Sequence, residues 1–251
     1  MRESGSGPAL VLVHGYPLDG GMWSAVARIL AERFRVLKPD LPGRAENPLP
    51  ASGSMESYAD FLEEIVRSAG AAGVAGFSMG GYAALALLRR RPEGVRALAL
   101  VDSRAGADDD AGRAKRDQAI SDIRARGAAA AADAMIDKLL SPESRARADM
   151  VERVRRMILR QKPETLESDL TAMRDRADQT ALLPEIRVPT LVLAGELDAI
   201  TPPGPAREMA ASIPGAEFVE IPGAGHLSPA EKPKVVAAAL GAFFARAMAG
   251  A

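Results

Sequence analysis

Apolar residues fall into two rhythms along this chain. "ALVLVH" (9–14), "VRALALVDS" (95–103) and "VPTLVLAGELD" (188–198) are continuous apolar runs closed by turn residues, the pattern of strands buried on both faces. "RVLKPDLPG" (35–43) predicts a strand stopped by prolines, and "AEFVEIPGAGH" (216–226) a strand running into a loop. Elsewhere the apolar spacing lengthens to three and four. Trp23, Val26, Ile29 and Leu30 predict a helix within 22–34, and Tyr58, Leu62, Ile65 and Val66 another over 55–70 that Gly70 stops. "YAALALLRRR" (82–91), "PPGPAREMAASI" (202–213) and "KVVAAALGAFFARAM" (234–248) read as three more. Short strands alternating with helices imply a mostly parallel sheet covered on both faces.

From 104 to 183 the texture changes to Arg-, Asp- and Ala-rich sequence with helical spacing and no convincing strand. Met150, Val151, Val154, Met157 and Ile158 form one apolar stripe, and Leu166, Leu170 and Met173 another. The expected organisation is therefore an α/β core of 1–103 and 184–251 interrupted by a helical insertion, 104–183. "ADDDAGR" (107–113) sets carboxylates at the start of an inserted helix, and "RRRPE" (89–93) sets cations at the end of an earlier one, each complementing a helix dipole.

Bulk properties narrow the function. With 251 residues, 47% of them hydrophobic, a sizeable core is available without disulfide staples. A formal net charge of -1 gives no general attraction to nucleic acid or to an anionic membrane. Cysteine is absent, which removes thiolate nucleophiles and thiolate metal sites. No apolar signal core opens the chain and no apolar run nears the roughly 20 residues of a membrane span, so a cytoplasmic protein is the expectation. Self-association is left open.

Chemistry concentrates at "GFSMGG" (76–81). A phosphate loop would need a following Lys-Ser or Lys-Thr, and a dinucleotide fold would need G-x-G-x-x-G; neither is present. A nucleophile lifted from a strand end onto a sharp strand-to-helix turn needs small residues two positions either side, which Gly76 and Gly80 supply around Ser78. The chain holds only two histidines, His14 and His226. His226 follows the last predicted strand in a Gly-rich loop, at the carboxyl end where open α/β sheets place their sites. Asp198 follows the preceding strand and can fix the imidazole, giving the chain order Ser78, Asp198, His226. Asp102, at the end of "LALVDS", is a second candidate acid. The backbone amides of Met79 and Tyr16 are the candidate oxyanion donors. His14 reads as an organiser of the Tyr16 loop, Trp23 as a packing residue, and Asp40 and Arg44 as loop-holding groups. Two distant histidines without a zinc-binding spacing make no metal site.

"HGYP", "DLPGR", "GFSMGG", "GELD" and "GAGH" occur in the order and approximate spacing of the α/β-hydrolase fold family, which the chain resembles over nearly its whole length, nearest its serine esterase and 3-oxoadipate enol-lactonase-like branch. "DLPGRAEN" departs from the family pattern, in which a further Gly-x-Ser often follows. The resemblance implies an eight-stranded, mostly parallel sheet, a helical cap over the site, and no metal or cofactor. A serine at the turn argues against the family's carbon–halogen and epoxide chemistries, which use aspartate there. The resulting expectation is cleavage of a small-molecule carboxylic ester through an acyl-enzyme. A lactonase is the alternative, with thioesterase, carbon–carbon bond hydrolase and a non-catalytic ligand-binding protein behind it.

Overall fold

A computed structural model describes residues 1–50 and 53–249. The chain runs β1 (Arg2–Ser4), β2 (Ala9–Val13), α1 (Ser24–Leu30), β3 (Arg35–Lys38), α2 (Met55–Ala69), β4 (Ala72–Phe77), α3 (Met79–Arg89) and β5 (Val95–Val101). Five helices follow without a strand: α4 (Asp110–Arg126), α5 (Ala128–Leu139), α6 (Pro142–Arg145), α7 (Ala148–Leu159) and α8 (Pro163–Arg174). The α/β alternation then resumes with β6 (Thr190–Gly195), α9 (Pro203–Ala211), β7 (Glu217–Ile221), α10 (Ser228–Glu231) and α11 (Pro233–Ala247). Among the described residues no helix is long and apolar enough to cross a membrane.

The strands form one sheet in the order β1-β3-β2-β4-β5-β6-β7. All neighbours are parallel except β1, which pairs antiparallel with β3. Among the described residues the sheet has seven strands, one fewer than the family resemblance implies. The polar β1 is exposed throughout, so no apolar pattern announces it. By contrast every residue of β2, β4 and β6 is buried, which explains their unbroken apolar runs. Gly73, Val74 and Ala75 form the middle of β4, held between β2 and β5 despite their few β-branched residues.

Side chains alternate across a strand, so Gly73 and Gly76 face opposite sides of β4. Gly73 faces Phe244 of α11, and Gly76 faces Gly80 of α3, so helices cover both faces. α1 packs with α11 on one side, α2 with α3 on the other. Ile29, expected in the apolar face of the first helix, is exposed instead.

The layer α4–α8 is joined to the sheet by charge. Arg44, beyond β3, forms a buried ion pair with Asp169 of α8, and the Tyr58 hydroxyl of α2 donates to the same carboxylate at 2.6 Å. At a second point Arg160 donates to both oxygens of Asp19, each at 2.7 Å, and Gln161 adds a bond of 2.9 Å. Asp40 accepts the Gly20 amide at 2.9 Å, while Arg44 Nε donates to Leu18 O at 2.8 Å, so both groups hold the loop that follows β2.

Candidate active site

β4 ends at Phe77 and α3 begins at Met79, leaving Ser78 alone in the bend with φ 50° and ψ −115°. A positive φ on a side chain other than glycine is strained, and the surroundings must enforce it. A Cβ on Gly76 would lie 2.5 Å from Gly80 O, and one on Gly80 would lie 2.6 Å from the carbonyls of Val13 and His14. The bend therefore closes only where these positions lack side chains. Gly80→Ala is expected to cost about 1–3 kcal/mol, read as a lower denaturant midpoint at unchanged slope, because backbone rather than a flexible side chain opposes the methyl.

The loops after β6 and β7 deliver two further groups to this bend. His226 Nε2 lies 3.0 Å from Ser78 Oγ, and His226 Nδ1 lies 2.8 Å from Asp198 Oδ2. Asp198 opens a tight turn in which its Oδ1 accepts the Ile200 and Thr201 amides at 2.7 and 2.9 Å, and its Oδ2 accepts the Thr201 hydroxyl at 2.6 Å. Burial opposes ionisation of Asp198. The facing His226 ring, with its hydrogen bond and those from Thr201, outweighs burial and holds the carboxyl below its usual range. An ionised carboxylate can only accept, so Nδ1 carries the proton and Nε2 is free to accept from Ser78. Phe77 packs 5.0 Å from the imidazole, ring centre to ring centre, and Trp23 stands edge-on to Phe77 at 6.4 Å. Trp23 is thus a buried packing residue behind the His226 ring.

Asp102, the other candidate acid, is not joined to the ring. Its oxygens accept the Gly195 amide at 2.7 Å and the Ser228 hydroxyl at 2.5 Å. The amides of Tyr16 and Met79 have no carbonyl partner among the described residues. Gly15 sits so close to the bend that a Cβ there would come within 3.0 Å of Ser78 Cβ, which brings the Tyr16 loop against the serine. Met79 is the first residue of α3, so its N–H is one of the orphan donors of a helix N-terminus.

His14 Nε2 accepts the Leu41 amide at 2.9 Å, which leaves the proton on Nδ1, directed at Gly15 O 3.2 Å away. Burial, reinforced by the Arg44 charge, lowers its pKa from 6.5 to about 3. The sign of the linkage follows: the folded state keeps the ring neutral while the unfolded chain protonates it, so stability is full above pH 6.5 and falls as pH drops toward 3. Each pH unit in this window costs up to about 1.4 kcal/mol. His14→Asn keeps an acceptor for Leu41 but does not titrate, so its denaturant midpoint is expected to vary less between pH 7 and pH 5 than the wild type's.

Thr201, Ser103 and Ser228 were not anticipated from the sequence. Asp followed three residues later by Thr is a local turn signature that points to Thr201. The two serines carry no comparable signal, because their partners are distant in sequence. Beside the Tyr16 loop lies a cavity of about 600 Å³ with a mixed lining, apolar at Tyr16, Ile123, Met135, Leu170 and Ile200 and charged at Arg104, Asp108, Lys115, Arg116 and Asp122 among others.

The model of the alpha/beta hydrolase family matches residues 10–239. The chain belongs to the alpha/beta hydrolase family. This alpha/beta hydrolase is 30% identical over 242 residues, covering 90% of its own length and 91% of the relative's, to a pimeloyl-[acyl-carrier protein] methyl ester esterase of Nitrosomonas europaea. A thermophilic esterase from Thermogutta terrifontis, solved with malate bound, matches it with a TM-score of 0.94 at 37% identity, covering 98% of this chain and 92% of the other. An enol-lactonase from Burkholderia xenovorans matches with a TM-score of 0.88 at 25% identity, covering 97% and 95%.

Proposed function

We propose that this alpha/beta hydrolase cleaves carboxylic esters through an acyl-enzyme formed on Ser78. The observation that carries the reading is the unbroken chain Asp198–His226–Ser78, with hydrogen bonds of 2.8 and 3.0 Å. Ser78 Oγ attacks the ester carbonyl as His226 Nε2 takes its proton. The oxyanion is met by the Tyr16 and Met79 amides, and removal of one such donor typically costs about 10²–10³ in rate. The imidazolium, stabilised by Asp198, then gives its proton to the departing alcohol. Water activated by the same ring attacks the acyl carbonyl, and collapse of that intermediate frees the acid and restores Ser78.

The helices between β5 and β6 act as a cap in this reading. α4 and α5 contribute Ile123 and Met135 to the cavity, whose apolar residues among the charged ones suit a small or medium acyl or alcohol group. The esterase relatives support the bond class. The likeness to an enol-lactonase favours a lactone as the second substrate class. A lactone acylates Ser78 by the same attack, but its leaving alcohol stays tethered to the acyl group.

p-Nitrophenyl acetate and a fluorophosphonate probe test the reading together. The protein should hydrolyse the ester and carry the probe on Ser78. Failure of both would identify a ligand-binding member of the fold instead. A panel of straight-chain esters, lactones and thioesters then ranks the substrate classes by kcat/KM.

A further inference from the structure

We infer that Asp102 is a positioning residue that, together with its neighbour Ser103, holds the three loops of the site in register; the inference rests on the esterase reading above. The pair follows directly on β5, whose parallel neighbours in the sheet are β4 and β6. Ser103 Oγ donates to Ser78 O at 2.9 Å, which ties it to the bend after β4. The Asp102 carboxylate takes the Gly195 amide at 2.7 Å, three residues before Asp198, and the Ser228 hydroxyl at 2.5 Å, two residues after His226. Two consecutive side chains therefore touch the segments that carry the nucleophile, the acid and the base. The carboxylate acts on the chemistry only through those segments, since its oxygens bond to Gly195 and Ser228 and not to the imidazole.

The site bears the marks of a constrained position. Asp102 is fully buried and sits at φ 47°, a conformation aspartate tolerates better than most side chains. Its own N–H donates to Leu193 O at 2.8 Å, so the backbone cannot relax away from the strand end. Burial, and then the nearby Asp198 charge, push its pKa well above the usual carboxylate range, so a carboxylate is a costly filler here. Strain and burial of this kind persist where the surrounding structure enforces them, and they cluster at functional sites.

Steady-state kinetics on p-nitrophenyl acetate, with the downfield proton resonance of the His226 Nδ1–H, test the inference. Asp102→Ala removes both ties and is expected to lower kcat about 10–100-fold with KM changed less than about threefold, because misplacement of reacting groups by an ångström costs that much. The downfield resonance should weaken in the same variant. Asp102→Asn keeps an acceptor for Gly195 and offers an amide donor to Ser228, so it should recover kcat to within about fivefold of wild type along with the resonance. If Asp102→Ala does not fold, Ser228→Ala cuts only the tie to the base and should lower kcat at least about threefold. Wild-type kcat in Asp102→Ala or Ser228→Ala, or equal losses in the Ala and Asn variants at position 102, would overturn the inference while leaving the esterase reading intact. A wild-type protein that neither turns over the ester nor labels at Ser78 removes both.

Discussion

Ser78→Ala is expected to lower kcat/KM for p-nitrophenyl acetate by about 10⁴-fold or more without unfolding the protein. The serine is the single group in the bend that can form a bond to the acyl carbon. His226→Ala should cost a similar factor, and the double variant should be no worse than either alone, because nucleophile and base act as one unit. Asp198→Asn should cost about 10³–10⁴, since an amide holds the wrong tautomer of the ring. Stability should move the other way at the same position. Ser78→Gly relieves the positive φ and is expected to stabilise the fold by about 1 kcal/mol, read as a higher denaturant midpoint, while abolishing turnover, which separates the energetic cost of the bend from its use. Substantial activity in Ser78→Ala would defeat the acyl-enzyme mechanism.

The second large effect lies away from the chemistry. Arg44→Met is expected to destabilise the protein by about 3–5 kcal/mol, because it leaves Asp169 charged and buried with only the Tyr58 hydroxyl as partner. For a chain of this size that is a fall of about 6–20 °C in the melting midpoint. Arg44→Met combined with Asp169→Leu should recover most of the loss, since apolar residues can replace a buried pair when both charges go together. A single Arg44→Met variant as stable as wild type would show that the pair contributes nothing to seating α8. Surface pairs such as Arg246–Glu217 should show no comparable effect, because their charges stay hydrated.

Legibility in the sequence followed burial. β2, β5 and β6 were readable because buried strands must be apolar on both faces, and α2 matched its predicted span to within a residue because Ser54 caps its start and Gly70 its end. β1 was not, since a polar edge strand of three residues has no periodic signature. At the site, the small residues around Ser78 and the strand-end positions of Asp198 and His226 sufficed to name three residues that the structure brings together. The choice between Asp198 and Asp102 stayed open in the sequence, because both follow strands; the distances, 2.8 Å for Asp198 to the ring and bonds to Gly195 and Ser228 for Asp102, are tertiary facts. The Arg44–Asp169 pair was equally hidden, joining residues far apart along the chain.

That buried pair also sets how the protein responds to its medium. At molar salt the screening length shrinks to about 3 Å, and the many exposed Arg–carboxylate contacts lose most of their attraction. Arg44 and Asp169 are packed away from mobile ions, so brine reaches the half-exposed Arg160 anchor first and leaves α8 in place. The contact at the end of α7 should therefore weaken at high ionic strength while the one on α8 holds.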